Sequence, residues 1–460
     1  MPNDSRRISL LLGLLFGLTG MGSASAAIAV PLLGADLEVS TGAATWTITV
    51  YILALAVTTA TYGRLADLIG IRIPLVIGIS LMTAGALIAA FAPTFDVLLV
   101  ARLIQGAGAA AVPTLGVVAV SARYDGEIRG LALGRLAAMA AAVTSLGPLA
   151  GGLVEAGFGW RAVLALPVLA LLVVPFIWKA LTAEGTGAAL DIFGAVLVAL
   201  TAAGAVLLIQ SPSTGAVIAV TGAVLLLTGI PAVTFWTRRR PDGFLPLDVV
   251  RNQTVVRSAL SAASLPAAWF ASLIAMPAVL LDHGWEPYQV GLLLLPSVAL
   301  SVVLPRIAGA VIAAFGPVRA IGIAAAVASV AMLICALGAE LANPTLLALS
   351  LLVVCAAFGI GQPALGAAVG AAVDDHVRGV ALGIATLVFM TGGSIGSAVV
   401  GGLSEFVDES GSLIVLAVLP LLSLLVLAPE MRRAAAAARE AGTPGKIKEV
   451  PAAEAAETSS

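Results

Sequence analysis

An all-helical protein that crosses a lipid bilayer about fourteen times is what this sequence predicts, on three observations. Of its 460 residues, 60% are hydrophobic and 10% charged, which leaves too little polar material to coat a water-facing surface. Apolar runs of about 20 residues recur from end to end, each long enough to cross a hydrocarbon core of about 30 Å as a helix. The runs are continuously apolar instead of alternating, which favours helices over a transmembrane barrel, because a helix satisfies its own backbone hydrogen bonds in lipid.

In order, the spans fall at roughly 9–31, 44–63, 73–91, 97–120, 130–153, 162–181, 191–210, 215–236, 257–280, 288–308, 319–338, 345–370, 380–403 and 411–428. Self-similarity divides them. Gly63 and Gly70 flank a turn and recur at the same mutual spacing as Gly309 and Gly316, while Asp125, Arg129, Gly130, Gly134 and Gly147 recur at one offset as Asp374, Arg378, Gly379, Gly383 and Gly396. Asp and Arg are scarce here, so the match indicates duplication of a six-helix unit. The expected organisation is an N-terminal six-helix half (1–181), a two-helix insert (182–237), a cytoplasmic linker (238–256), a C-terminal six-helix half (257–429) and a disordered tail (430–460).

Charge placement sets the orientation. With the N-terminus inside, the basic residues from Arg6 and Arg7 through Arg64, Arg72, Arg123, Arg238–Arg240, Arg257 and Arg378 share one side, and only Arg161 lies in an outer loop, among acids such as Asp36, Asp282, Glu286 and Asp408. The positive-inside rule then puts both termini in the cytoplasm of a multi-pass bacterial inner-membrane protein. Cys335 and Cys355 lie within spans and serve packing. Residues 6–26 imitate a cleavable signal peptide, but six spans per half require this stretch to stay.

The motifs carry the function. Gly63 to Arg72 reads G-R-L-A-D-L-I-G-I-R, in which glycines allow a tight turn and Asp67 can bond the free amides of a neighbouring helix N-terminus. Arg102-Leu-Ile-Gln105-Gly106 in span 4 puts a permanent cation in the membrane, at about 2.5–3.5 kcal/mol on insertion scales, so a function or a buried polar partner is the default expectation; snorkelling outward is the alternative. In span 5, Gly134, Gly147-Pro148 and Gly151-Gly152 free a backbone carbonyl and remove bulk, allowing a bend and close packing.

These three motifs resemble the signatures of the major facilitator superfamily, the last of them the one associated with its antiporters. Trp46 and Tyr51 in span 2, Asp191-Ile-Phe-Gly194 opening span 7, and Gly284 to Pro296 resemble the fourteen-span drug:proton antiporter branch over nearly the whole chain. The resemblance implies two parallel halves about an axis normal to the membrane, alternating access, no cofactor, and efflux of lipophilic drugs, dyes or antibiotics driven by inward proton flow. It implies a cavity between the halves lined by Trp46, Tyr51, Trp269, Phe270, Phe389 and Met390, with polarity from Arg102 and Gln105.

The sequence departs from that pattern at several positions. Leu68 and Ile71 stand where basic residues are common, and Val143 where span 5 has Gly. In span 1, Gly22 replaces an acid and Ala27 an Asn, and no span carries a carboxylate near its centre. A neutral or anionic substrate, or a non-transporting relative, therefore stays open as an alternative. An enzyme is disfavoured: His283 and His376 are both in loops, and there is no metal spacing and no phosphate loop. Expected partners are lipid and a small lipophilic molecule, not nucleic acid, with the monomer sufficient.

Overall fold

A computed structural model describes residues 4–124, 126–181, 191–213, 215–241 and 243–441, apart from the side chains at 60, 67, 126, 127, 180, 213, 375, 376, 404, 405 and 435–441. Asp125, the side chain of Asp67, and the insert and tail positions at 182–190 and 442–460 thus lie outside the described residues.

Span 1 is α1 (Ser5–Asp36); span 2 is α2 (Thr41–Ala44) with α3 (Trp46–Ile69); span 3 is α4 (Arg72–Ala90); span 4 is α5 (Phe95–Ala109) with α6 (Ala111–Arg123). Span 5 is α7 (Gly126–Ser145) continued by α8 (Gly147–Ala165). The insert is α10 (Ile192–Gln210) and α11 (Ala216–Arg239), and the linker holds a short α12 (Leu247–Arg251). Beyond it come α13 (Gln253–Ala262), α14 (Ser264–Asp282), α15 (Pro287–Leu293), α16 (Leu295–Phe315), α17 (Pro317–Glu340), α18 (Pro344–Ala372) and α19 (Asp375–Ala441). Part of the predicted disordered tail is therefore helical, since α19 runs on to Ala441.

Thirteen apolar segments are long enough to span a membrane, and one of them, Ile128–Ile177, reverses at Gly159, where φ is +76°; the described residues therefore hold fourteen crossings. The reversal is anchored by Asp36 at the end of α1, which accepts from Trp160 Nε1 at 3.2 Å and pairs with Arg161 at 2.6 Å. The returning chain reaches the opposite face, where Trp178 lies 5.6 Å from the Arg72 guanidinium.

Span 6 differs from the continuous helix the sequence predicts. After α8 it runs as 3-10 helix over Leu166–Leu172, a single α-turn α9 (Val174–Ile177), and 3-10 helix over Trp178–Ala180. Pro167 and Pro175 have no N–H to give, so α-helical hydrogen bonding fails there. A second difference concerns the span 2 turn. Only Gly70, at φ +79°, is conformationally required; Gly63 sits inside α3, where an added Cβ would make ordinary contact with Thr114 at 3.7 Å. The repeat shows the same geometry, with Gly316 at φ +80° ending α16 and Gly309 helical.

Six crossings before the insert form one bundle and six after it another, and small residues set the spacing within each. Gly78 and Gly108 bring α4 and α5 so close that a Cβ on Gly108 would strike the backbone of Gly78 and Met82. Gly147 and Gly151 seat α8 on Met21, Ala24 and Ser25 of α1, and Gly392 and Gly396 seat α19 on Ala263 and Ala267 in the second bundle. Val143, the departure in span 5, faces Gly17 of α1. The bulk lost on one helix and gained on the other is thus balanced within one contact.

The insert packs in a seam between the bundles: Val206 of α10 is buried between Leu53 of α3 and Ala398 of α19, whereas α11 is largely exposed. Just outside α10, Asp191 accepts hydrogen bonds from Gly194 N (3.0 Å), Trp236 Nε1 (3.0 Å) and Phe244 N (2.9 Å), and Arg64 of α3 donates to Gly243 O at 3.1 Å. Burial alone would raise the Asp191 carboxyl, but the amides of Phe244 and Gly194, the Trp236 indole and the charge of Arg240 together hold it below the usual carboxylate range.

Two outcomes are expected in detergent melts. Gly108→Val lowers stability by about 1–3 kcal/mol through overpacking, while Gly134→Ala, where nothing lies within 4 Å of the new methyl, stays within about 0.5 kcal/mol of the parent. Asp191→Asn melts below the parent at neutral pH. Because the folded carboxyl is depressed, its stabilisation is present above the unfolded pKa and is lost as pH falls through the folded one, so the gap between the two proteins closes on acidification.

Candidate functional site

Gly106 on α5 crosses α3 at Tyr51, whose main-chain atoms leave no room for a Cβ. One turn back on each of these parallel helices stand Arg102 and Thr47, so the glycine contact places the guanidinium against the Thr47 carbonyl. Arg102 is 0% exposed. Its Nε donates to Thr47 O at 2.9 Å, its Nη1 to Gln105 Oε1 at 2.6 Å, and its carbon centre lies 4.2 Å from the Tyr51 ring centroid. Such a desolvated cation–π contact contributes about 2 kcal/mol.

The same shell is tied outward. Gln105 Nε2 donates to Leu164 O at 3.3 Å and the Tyr51 hydroxyl to Thr19 O at 3.2 Å, so α5, α3, α1 and α8 meet at one polar point. Arg102 Nη2 is buried with no hydrogen-bond partner, and no carboxylate among the described residues pairs with the guanidinium. The inward bonding settles the two alternatives for Arg102: it does not snorkel. Enclosed within the first bundle, Arg102, Tyr51 and Gln105 do not border open space in this arrangement.

The aromatic residues form a separate cluster in the second bundle. Trp269 of α14 lies 5.9 Å from Phe358 of α18, which lies 5.4 Å from Phe389 of α19, each near the middle of its apolar membrane-spanning segment. From Ser264 to Pro277 of α14 every side chain is buried except Trp269, which is half-buried. That helix packs against α1 of the other bundle. Met390 is partly buried beside it, Phe270 packs on Gly393, and Trp46 is buried at the start of α3 with its indole N–H unpartnered. Sequence reading missed Phe358, whose only signal is its place near the middle of span 12.

Close contacts between the bundles gather at the end carrying the acidic loops. A 2.8 Å hydrogen bond joins the Thr49 and Ser397 hydroxyls, Gly152 lies on Pro287 and Tyr288, Gly291 on Pro148 and Leu149, and Gly401 on Thr45. Of the span 5 signature, then, Gly152 and Pro148 face the other bundle, whereas Gly147 and Gly151 face α1. Gly22 of α1 meets the ring of Pro167 from span 6, which fills the space a side chain there would need.

Two six-crossing bundles close on each other at one end, with a buried cation inside the first and an aromatic trio in the second, the architecture of a polytopic membrane protein built of two matched halves. The chain belongs to the Major Facilitator Superfamily, which it matches over residues 12–257 and 258–456.

Its similarities are of two kinds. It is 30% identical over 293 residues to the multidrug resistance protein Stp of Mycobacterium tuberculosis, covering 61% of this chain and 54% of that one. It is 30% identical over 154 residues to the efflux pump dotC of Dothistroma septosporum, covering 34% and 26%. The chain thus spans about half or less of these curated relatives. In fold it is similar to the crystal structure of a POT family transporter in complex with 5-aminolevulinic acid, with TM-score 0.68 and 12% identity over 93% of this chain and 96% of that one.

Arg102→Lys is expected to fail as a replacement, because an ammonium cannot bond both Thr47 O and Gln105 Oε1 while stacking on Tyr51. The melting temperature should fall by the equivalent of about 1–3 kcal/mol for the unmet polar groups, read by thermal unfolding in detergent.

Proposed function

We propose that this protein exports small lipophilic molecules across the inner membrane of a bacterium by alternating access, with inward proton flow as the driving force. The carrying observation is the closure at the acidic end, where Thr49–Ser397, Gly152–Pro287, Gly291–Pro148 and Gly401–Thr45 join the two bundles, the form a rocking two-body device takes. The multidrug resistance and efflux names of its relatives support the direction. Charge placement supports a membrane orientation with both termini cytoplasmic and the closed end outward, and the presence of both halves in one chain supports the monomer as the working unit.

A specific observation favours neutral or anionic substrates. Arg102 carries an unpaired charge, and Gly22 against Pro167 leaves span 1 without a carboxylate or room for one. At about 10 Å and an effective dielectric of about 20, that charge disfavours a cation by about 1.7 kcal/mol and favours an anion equally. Trp269, Phe358 and Phe389 offer flat apolar contact to either. Proton coupling then runs through an acid at a helix end or through water.

The test is accumulation of matched cationic, neutral and anionic lipophilic dyes in a pump-deficient host, with and without a protonophore. The expected result is lower accumulation of neutral and anionic dyes, abolished by the protonophore and impaired in Arg102→Ala. Export confined to cations would refute the charge reading, and equal accumulation with empty vector for every dye, with the protein folded in the membrane, would refute export of such dyes.

A further inference from the structure

Gln210, the last residue of α10, is completely buried. Its Nε2 donates to Thr45 Oγ1 at 2.9 Å and to Gly42 O at 3.4 Å, while the Thr45 hydroxyl itself donates to Gly42 O at 2.7 Å. A Cβ on Gly401 of α19 would strike that same hydroxyl, and one on Gly402 would lie 2.8 Å from Ile209 O. First bundle, insert and second bundle therefore converge on a single oxygen at the break between α2 and α3.

The contacts are of two strengths. Toward α19 the insert packs by shape along its length, with Ala195 near Leu387, Val206 near Ala398, and Ile209 and Gln210 on Gly402. Toward the first bundle it packs Val206 against Leu53 of α3, and the polar link at this end is the Gln210 side chain. A buried amide is costly in lipid unless bonded, so Gln210 and Thr45 are held together as long as both stay buried. Any opening of the acidic end must part α3 from α19. We propose that the insert rides with the second bundle and that Gln210, bonded to Thr45, is a clasp holding the acidic end closed, making the α10–α11 hairpin a working part of the gate. This rests on the alternating-access reading above.

One intramembrane hydrogen bond of this kind shifts an equilibrium by about three- to eighteen-fold. The test uses the full chain in detergent, with Cys335 and Cys355 replaced by Ala and Ser397→Cys at the closed gate as reporter in every sample, labelled by a water-soluble maleimide. Gln210→Leu, which keeps bulk and removes both bonds, is expected to speed labelling within that range. Thr45→Val should do the same, Thr45→Ser should label at the parental rate, and Gln210→Leu with Thr45→Val together should exceed neither single change. Parental labelling rates in both Gln210→Leu and Thr45→Val would overturn the clasp. If Gln210→Leu fails to fold, the Thr45→Val and Thr45→Ser pair decides alone. Because labelling needs no substrate, faster labelling in a protein that exports no dye would sustain the clasp while the export reading fails.

Discussion

A guanidinium with no exposure, and with no carboxylate partner among the described residues, governs the first bundle. In lipid, Arg102 has only what the surrounding helices offer: the Thr47 carbonyl, the Gln105 amide and the face of Tyr51. Those offers exist because Gly106 lets α5 touch the α3 backbone, and because Gly85 admits the backbone of α5 at Gln105 on the other side. Anchoring Tyr51 to Thr19 and Gln105 to Leu164 then spreads the requirement to α1 and α8. The bundle is organised around a charge it does not neutralise.

Small residues do two different jobs here. Within each bundle they let helices lie backbone to backbone, as at Gly78 and Gly108 or Gly396 and Ala267, where packing is the attraction that lipid leaves available. Between the bundles the same residues make a surface that parts cleanly, since Gly152 on Pro287 and Gly291 on Pro148 lose little specific bonding on separation. Polar links across the seam are few and short, Thr49 with Ser397 and Gln210 with Thr45, so closure is directional without being permanent.

The crossings and the internal duplication were legible because lipid demands long apolar runs and because charged residues are rare enough for their repetition to show. The breaks at Ala110 and Ala263 were legible in principle, since Pro113 and Pro266 follow three residues on and lack the N–H that would bond the carbonyl four residues back, and Gly42 stands three residues before the break at Thr45. The Pro167 and Pro175 breaks in span 6 could have been read directly. Arg102 announced itself by its cost, whereas Gln210 did so only weakly, at the end of a run whose other residues are apolar. The membership of the aromatic trio depends on which faces of α14, α18 and α19 turn together, which no single helix's periodicity encodes.

Pro167 against Gly22 couples two helices of the first bundle at one point. With the proline ring seated where a span 1 side chain would stand, an acid introduced at position 22 meets an occupied site, and removing the proline first leaves a void in a 3-10 segment already short of hydrogen bonds. A change at either position is therefore felt at the other. The chemistry a descendant can acquire at this point is set by a neighbouring ring.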